Sequence, residues 1–456
     1  MNPQNNYDLA IIGSGPGGYV AGLYASRHKL RTCVIEKDLV GGTCLNRGCI
    51  PTKVLINSAS IVSTIKGATT HGIEVEGYKI NFEKVTARKD EVVLRLRTGI
   101  ETLFRANKVE LIRGAAKLIG PNTIKINGKP DIIAKNIIIA SGSQVAALEK
   151  IKFDGRNTIS SDDALNLKAL PKSVAIIGGG VIGCEFASLF NAFGSKVFLI
   201  EIMDRLIPTQ SREASKKLEV IFKKKGIEVF VSSKVESVDK KKIAISGANA
   251  KVVEAEKILV SVGRQPNTED LGLEEIGIKT EKSRILVDEQ LRTDIKNIYA
   301  IGDCVSGPML AHKASYDGML ACDNILGKPR SRDYSSVPNC IWTDPEIASV
   351  GLTEEEAKTK HQDARIAKFP YLASGKAYLM DKTEGFIKII GDAKGDILGV
   401  EIFGEAACDL IGEAVLAKAE NINIKDWAQV VHGHPTLSEI MQEAAHIFCG
   451  TGIHSI

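Results

Sequence analysis

The chain contains one glycine-rich pattern twice, with the second copy 165 positions after the first (178 minus 13). In each copy an apolar run leads into GxGxxG and a helical pattern, and a second apolar run then ends in an acid, Glu36 or Glu201. The repeated glycines are Gly13, Gly15 and Gly18 in the first copy and Gly178, Gly180 and Gly183 in the second. Two such strand–turn–helix units predict an α/β protein with two parallel sheets.

Each copy also predicts a ligand. Glycines at these positions let the backbone approach a pyrophosphate at a helix amino end, while the acid binds ribose hydroxyls. Glycines that only serve tight turns could explain one copy, but they account poorly for two copies with matching acids. Two dinucleotides are therefore expected, and Glu201 favours NAD in the second site because a carboxylate would repel the 2′-phosphate of NADP.

A pair of cysteines, Cys44 and Cys49, follows the first copy directly. In a regular helix their Cα atoms would lie roughly 8 to 9 Å apart, too far for an unstrained disulfide. The backbone is therefore expected to bend between them, with Gly48 giving freedom and Pro51 a break. A strained disulfide is easily reduced, which is typical of catalytic pairs.

The cysteines suggest what fills the first site. A disulfide exchanges two electrons, hydride transfer to a nicotinamide moves two electrons, and a flavin can connect the two reactions. We therefore predict FAD in the first site and NAD in the second.

Four features together carry a family resemblance. They are the segment GGTCLNRGCIPTK at 41–53, the doubled glycine pattern, Ala300-Ile301-Gly302-Asp303, and the carboxy-terminal HPTLSE at 434–439. On these the chain resembles the dihydrolipoamide dehydrogenases, class I members of the flavin-dependent pyridine nucleotide disulfide oxidoreductase family. The resemblance spans nearly the whole chain. Mercuric reductases and the larger thioredoxin reductases carry a cysteine pair near the carboxy end, where this tail has only Cys449.

The resemblance implies four regions. Residues 1–150 would bind FAD, 151–270 would bind NAD, 271–337 would return to the FAD domain, and 338–456 would form an α+β interface domain. In the last region helical patterns are expected near Glu405–Ala419 and Thr436–Ile447. The fold class is thus α/β, with two Rossmann-like domains and a carboxy-terminal dimerisation domain.

The resemblance also implies which residues contact the cofactors. Asp303 would meet the ribityl hydroxyls of the flavin, with Ala311 close by. Lys53 would sit beside the flavin ring, and Glu185 would be its acidic partner. Besides the repeated glycines and acids, the expected cofactor-binding residues are Gly114, Ser141, Gly142, Ser143 and Gly263.

By the same resemblance, the catalytic residues are Cys44, Cys49, His434, Glu439 and Lys53. Cys44 would exchange with the sulfur of the substrate, and Cys49 would lie against the flavin. Because only a thiolate attacks or leaves well, the site needs a group that accepts protons near neutrality. His434 would do this, with Glu439 orienting its ring. In this family the histidine reaches the cysteines of the other subunit, so a homodimer is expected.

Each of these residues also has a simpler interpretation. Thr436 and Glu439 form a T-x-x-E pattern that could be a helix capping box. His432 and His434 could be surface residues or an opportunistic metal pair, although no further ligand accompanies them, and we predict no metal site. Lys53 by itself could be a solvated helix residue. Their positions within the resemblance favour the catalytic roles.

Charge and composition limit the partners. Lys and Arg exceed Asp and Glu by four, which gives no reason to expect nucleic acid or a membrane as partner. The first residues carry no secretion or transit pattern, and no apolar run is long enough to span a membrane. The nine cysteines are an odd number without metal-ligand spacing. A cytoplasmic location is the expectation.

Three functions remain open at this stage. The first is NAD-dependent oxidation of dihydrolipoyl groups on an acyltransferase or carrier protein of a 2-oxo acid dehydrogenase or glycine cleavage complex. The second is an NAD-linked reductase for another small disulfide, which would keep every motif and differ only at the entrance to the cysteines. The third is a scaffold with a structural flavin, which has no need of Cys44, Cys49, His434 and Glu439.

Overall fold

The computed structural model describes residues 5–248 and 250–454, and its amino-terminal part is built on the first glycine pattern. This part contains β1 (Asn6–Ile12), α1 (Pro16–Arg27), β2 (Thr32–Glu36), α2 (Gly42–Arg47), α3 (Cys49–Gly67), α4 (Phe82–Ala106), β3 (Glu110–Arg113), β4 (Ala116–Gly120), β5 (Thr123–Ile126), β6 (Ile132–Ile139) and β7 (Ser143–Val145). Strands β3, β2, β1 and β6 lie side by side and parallel, and the β4–β5 hairpin pairs with the first half of β6.

The second glycine pattern builds a second parallel sheet. Its elements are β8 (Thr158–Ile159), α5 (Ser161–Ala164), β9 (Ser173–Ile177), α6 (Val181–Phe193), β10 (Lys196–Ile200), α7 (Arg212–Lys224), β11 (Glu228–Phe230), β12 (Ser233–Asp239), β13 (Lys242–Gly247), β14 (Lys251–Glu254), β15 (Lys257–Val260) and β16 (Arg264–Pro266). The sheet has the order β11-β10-β9-β15-β8, with β12, β13 and β14 in a separate antiparallel sheet. β16 pairs with β7 and leads the chain back to the first sheet.

The remaining chain completes the first sheet and adds a third. It contains β17 (Thr280–Glu281), β18 (Arg284–Ile285), β19 (Ile298–Ala300), α8 (Ala311–Ile325), β20 (Asn339–Ile341), β21 (Glu346–Gly351), α9 (Glu354–Lys360), β22 (Arg365–Pro370), α10 (Gly375–Leu379), β23 (Phe386–Gly391), β24 (Ile397–Gly404), α11 (Ala407–Ala419), α12 (Ile424–Trp427) and α13 (Glu439–Phe448). β19 pairs in parallel with the second half of β6. β20, β21, β24, β23 and β22 form an antiparallel sheet whose apolar face packs against α11 and α13.

The predicted α/β class, with two dinucleotide-type sheets and an α+β region, is confirmed. The helix predicted over 436–447 begins later, at Glu439, because Thr436 takes part in a turn in which its backbone N–H binds the Glu439 carboxylate. The helix predicted from Glu405 begins at Ala407. No helix of the described residues has the length and apolarity needed to cross a membrane.

Parallel strands bring distant residues to one edge of each sheet. β1, β2, β6 and β19 end at Ile12, Glu36, Ile139 and Ala300, so the glycine loop, the first acid, Ser141 and Asp303 follow strands that end at the same edge of the first sheet. In the second sheet, the ends of β9, β10 and β15 likewise bring the second loop, Glu201 and Gly263 to one edge. This edge is where open α/β sheets bind ligands.

The two glycine loops share one packing constraint. A Cβ on Gly18 would overlap the carbonyl oxygen of Gly13, and a Cβ on Gly183 would overlap that of Gly178. A Cβ on Gly180, in contrast, would meet no atom within 4 Å. The third glycine of each loop therefore allows the helix to pack on the loop, while Gly180 leaves open space in the second loop.

This difference predicts that two alanine substitutions in the second loop lower the stability of the fold by different amounts. Gly183→Ala should destabilise the fold by about 1–3 kcal/mol or more, since the methyl group overlaps backbone that cannot move aside cheaply. Gly180→Ala, the matched control, should cost no more than about 1 kcal/mol as a poorer helix cap. Thermal unfolding measures both, and equal midpoints for the two variants would contradict the packing argument.

Candidate active site

The two cysteines face each other across a break between α2 and α3. α2 ends at Arg47, and α3 begins at Cys49. Gly48 between them takes φ −142° and ψ −112°, outside the helical range. A Cβ on Gly48 would lie 3.0 Å from the Thr43 carbonyl oxygen and 3.2 Å from the Cys44 Cα, so only glycine fits without displacement. Through this bend the Cys44 thiol donates a hydrogen bond to the Cys49 sulfur.

The sequence prediction of a bend holds at one residue and is wrong at the other. Gly48 breaks the helix as expected. Pro51 does not, because it lies in the first turn of α3, where a missing backbone N–H interrupts no helical hydrogen bond. No disulfide joins Cys44 and Cys49 in this structure.

The two thiols differ in acidity. The hydrogen bond from Cys44, assisted by the nearby Lys53 ammonium, lowers the pKa of Cys49 to about 7 against the opposing effect of burial. The same hydrogen bond, together with burial, raises the pKa of Cys44 above its usual range. Near neutral pH, Cys49 thus carries much of the thiolate and Cys44 the proton.

A charged contact joins the cysteine helix to the rest of the molecule. Lys53 Nζ on α3 lies 2.9 Å from both carboxylate oxygens of Glu185 on α6, and the Glu185 side chain is only 5% exposed. The backbone N–H of Trp342 donates to the same carboxylate at 3.0 Å, and its ring lies beneath the Lys53 ammonium. The contact therefore links three regions of the chain at the cysteines.

The repeat seen in the sequence recurs in the hydrogen bonds of the acids. Glu36 accepts the backbone N–H groups of Ser14 and Asp38, each at 2.8 Å. Glu201 accepts those of Gly179 at 2.5 Å and Met203 at 2.7 Å. All three positions in the second set are offset by 165 from the first. Each carboxylate is thereby fixed beside its glycine loop, with lone pairs left for ribose hydroxyls.

The edge of the first sheet suits a polar cofactor. Ser143 Oγ donates to Asp303 at 2.5 Å, and Arg264 donates to both Ser143 Oγ and the Ser143 carbonyl oxygen at 2.8 Å. Ser141 Oγ is buried there beside the Cys304 thiol. A hydroxyl can donate one hydrogen bond and accept two, so a polar group of a bound molecule would suit this position.

Arg264 was not singled out from the sequence. Burial lowers the pKa of Arg264, while the charges of Asp303, Asp162 and Cys49 oppose that effect. A partly buried guanidinium that donates to Ser143 is a positive charge at this edge. Its position directly after Gly263, at the first residue of β16, is the sequence signal that could have identified it.

Three of the remaining predicted cofactor residues, Gly114, Gly142 and Gly263, follow the ends of β3, β6 and β15. The Gly114 N–H donates to the Glu36 carbonyl oxygen at 2.9 Å. Gly142 accepts from the Asn267 N–H at 2.9 Å, and Gly263 accepts from the Ala146 N–H at 3.0 Å. Ala311 is the first residue of α8, directly beyond the Asp303 segment.

His434 and Glu439 form a contact of their own in the carboxy-terminal region. His434 Nδ1 lies 2.8 Å from Glu439 Oε1, and the Thr436 N–H donates to Glu439 Oε2 at 2.8 Å. Burial opposes ionisation of Glu439, yet these two hydrogen bonds outweigh it and lower the pKa of the carboxyl. The His434 side chain is 80% exposed, so one face of the ring is open to a second molecule.

His432 does not share this environment. Its side chain is 6% exposed, and its ring nitrogens contact Glu413 at 2.9 Å and the Val430 carbonyl oxygen at 3.0 Å. No group of three or more His, Cys, Asp or Glu among residues 5–248 and 250–454 could hold a metal ion. His432 is therefore held by contacts within the fold, whereas His434 is exposed.

Comparisons with known proteins agree over nearly the whole chain. Residues 7–318 match the family pyridine nucleotide-disulphide oxidoreductase, and residues 337–445 match its dimerisation domain. Dihydrolipoyl dehydrogenase from Bacillus subtilis is 43% identical, covering 98% of this chain and 99% of that protein. The enzyme of that name from Chlamydia pneumoniae is 41% identical, covering 98% of each. LpdA from Mycobacterium tuberculosis has a TM-score of 0.90 at 28% identity, covering 96% of this chain and 99% of that one.

Two thiols of unequal acidity beside two dinucleotide-type loops define a thiol–disulfide redox enzyme. More particularly, the chain belongs to the pyridine nucleotide-disulphide oxidoreductase family. The family resemblance seen in the sequence is confirmed, and so are the predicted cofactors, FAD and NAD.

The acidity of Cys49 can be tested in the reduced protein. Cys44→Ala removes the largest effect that lowers the pKa of Cys49, so this pKa should rise from about 7 to at least the ordinary value of about 8.5. The pH dependence of Cys49 alkylation by iodoacetamide, located by peptide mass, reports it. Cys449→Ala is the matched control and should leave the midpoint unchanged, whereas an unshifted midpoint in Cys44→Ala would refute the proposed hydrogen-bond effect.

Proposed function

We propose that this protein oxidises dihydrolipoyl groups with NAD, passing two electrons through Cys44 and Cys49. The observation that carries the proposal is the unequal thiol pair, with an acidic Cys49 beside Lys53 and a protonated Cys44. Relatives named dihydrolipoyl dehydrogenase match the chain end to end, which supports this substrate over another small disulfide. A purely structural flavin would leave this thiol pair without a purpose.

The residues at the sheet edges fit both cofactors. The first glycine loop, Glu36, Ser141 and Asp303 would hold FAD, with Lys53 beside the flavin ring. The second loop and Glu201 would hold NAD, since the open space at Gly180 admits a pyrophosphate. FAD supplies a two-electron carrier between a dithiol and a nicotinamide.

The chemistry of the protein's own residues begins with its disulfide. A dihydrolipoyl thiol gives its proton to His434, and the resulting thiolate attacks Cys44, so that the bond between Cys44 and Cys49 breaks and Cys49 leaves as a thiolate. The second dihydrolipoyl sulfur then displaces Cys44, closing the lipoyl disulfide while its proton passes to Cys44. Two electrons have then moved from the lipoyl group to the cysteine pair. The acidity order of the two thiols matches these products.

Glu439 prepares His434 for this proton transfer. The carboxylate binds Nδ1, so Nε2 is the nitrogen available to the substrate. A carboxylate in that position orients the ring and stabilises the imidazolium that forms. Because His434 is largely exposed within its own chain, we assign it to the cysteines of the partner subunit in a homodimer.

The regions of the chain would have different roles in binding and assembly. Residues 1–150 and 271–337 would bind FAD, 151–270 would bind NAD, and 338–456 would form the dimer. A lipoylated acyltransferase or carrier protein would deliver the substrate to the cysteines. We assign the protein to the cytoplasm, where thiols such as those of its nine cysteines are kept reduced.

Steady-state assay of the purified holoenzyme tests the activity directly. Dihydrolipoamide should reduce NAD in the presence of wild-type protein, and Cys49→Ser should lose at least about 10³-fold in turnover because the electron path is cut. Cys449→Ser, remote from the pair, is the control. Activity of Cys49→Ser near the wild-type level would disprove the route, and preference for another dithiol would disprove the substrate.

Mixed dimers test the shared site. Cys44→Ser and His434→Ala homodimers should each be nearly inactive, since loss of the general base costs about 10²–10⁴-fold. After subunit exchange, a mixed dimer would hold one intact site and so regain up to about half the wild-type activity per dimer. Exchange demonstrated by mass, without any regain, would place His434 and the cysteines of one site in the same chain.

A further inference from the structure

A second pair of cysteines meets in the carboxy-terminal region. Cys340 lies on β20 and Cys408 lies in the first turn of α11, 68 positions apart in the sequence (408 minus 340). Their side chains share a hydrogen bond. The Cys408 Sγ also lies 3.7 Å from the carbonyl oxygen of Ile341, the residue that follows Cys340, and 3.8 Å from that of Ile347.

Both thiols are held by regular elements. β20 pairs with β21, placing Cys340 opposite Ala348, and α11 packs on β21. Glu346, at the start of β21, accepts the Cys408 N–H at 3.0 Å and so fixes the first turn of the helix. The two sulfurs are therefore positioned by the sheet and helix and not by mobile loops. Both cysteines are only partly buried, which leaves a small reagent access to them.

The charges around this pair repeat the pattern at Cys44 and Cys49. The hydrogen bond from Cys408, with help from the more distant Lys53 ammonium, lowers the pKa of Cys340 although burial and the Glu346 carboxylate oppose it. The same hydrogen bond and burial raise the pKa of Cys408. Cys340 is thus the nucleophile of the pair and Cys408 the thiol that donates to it.

The other cysteines outside the active site lack this arrangement. Burial raises the thiol pKa of the four fully buried ones, Cys33, Cys184, Cys304 and Cys322. Burial also raises the pKa of Cys449. Thiols of this kind react slowly with oxidants, because the thiolate is the reactive form.

We propose that Cys340 and Cys408 form a second thiol–disulfide couple, an oxidative modification site distinct from the catalytic pair. With a peroxide as oxidant, the Cys340 thiolate attacks one oxygen, the O–O bond breaks, and Cys340 becomes a sulfenic acid while the other oxygen leaves as water after taking a proton. The Cys408 sulfur then attacks the sulfenic sulfur, the S–S bond forms, and a second water leaves. The two thiols lose two electrons, and the peroxide gains them.

Formation of this disulfide would alter the surroundings of Lys53, on the side of the molecule where the flavin would bind. Cys340 lies two residues before Trp342, whose backbone binds Glu185 and whose ring lies beneath Lys53. A disulfide cannot ionise, so oxidation removes an ionisable thiol from the surroundings of Lys53. The couple thus links the oxidation state of the carboxy-terminal region to the charge beside the catalytic cysteines.

Peptide mapping of the oxidised holoenzyme dimer tests the proposal. The wild-type protein is reduced, freed of reductant, treated with hydrogen peroxide, alkylated and digested without reduction. Mass spectrometry should find a peptide pair linked through Cys340 and Cys408 in addition to the one linked through Cys44 and Cys49. The linked chain should run as a monomer on a denaturing gel without reductant.

Matched variants test the order of the two steps. With dimedone present, Cys408→Ser should accumulate a sulfenic acid adduct on Cys340, whereas Cys340→Ser should give none on Cys408. Cys449→Ser should form the same link as the wild type. Closure of Cys44 and Cys49 without a Cys340–Cys408 link, a link from either residue to the other subunit, or trapping on Cys408 would overturn the proposal. The peptide map of the oxidised wild-type protein tests for the disulfide even if a variant fails to fold.

Discussion

The active site depends on the ion pair between Lys53 and Glu185. A carboxylate that is 5% exposed is costly to bury unless a cation and hydrogen bonds compensate it. Lys53 and the Trp342 N–H supply this compensation, and they come from different regions of the chain. The cysteine helix, the second glycine helix and the carboxy-terminal sheet must therefore come together for Glu185 to be tolerated. The same ammonium lowers the pKa of Cys49, which couples the assembly of the fold to the reactivity of the thiol.

Much of this architecture could be predicted because it is encoded locally and repeated. The offset of 165 residues applies to the glycines, to the acids and to the backbone groups that each acid binds, such as Ser14 and Gly179. A strand that enters a glycine turn has few alternatives, since a side chain at Gly18 or Gly183 would overlap backbone. The bend at Gly48 followed from a distance argument of the same local kind. The prediction that Pro51 breaks the helix was wrong, because a proline is tolerated in the first turn of a helix and disrupts only its interior.

The contacts that escaped prediction are made across the sequence. Nothing near Arg264 indicates that it will donate to Ser143, because that contact requires β16 to pair with β7. Likewise, Cys340 and Cys408 are unremarkable in a chain with nine cysteines until β20, β21 and α11 pack together. Such contacts depend on strand order and helix docking, which composition and periodicity do not specify. The contacts that sequence reasoning missed are therefore those that only the tertiary fold creates.

The contact between His434 and Glu439 supports the proposal that the site is shared between two subunits. An exposed contact between two polar side chains adds little to stability, because water competes for both groups and ordering the side chains costs entropy. Glu439 is nevertheless fixed by the Thr436 N–H, and it holds a ring that is 80% exposed. An imidazole oriented this firmly at a surface suits a role outside its own chain. The dimerisation domain that contains it also carries Trp342, so one region would contribute to the cysteine sites of both subunits, through Trp342 within its own chain and through His434 in the partner.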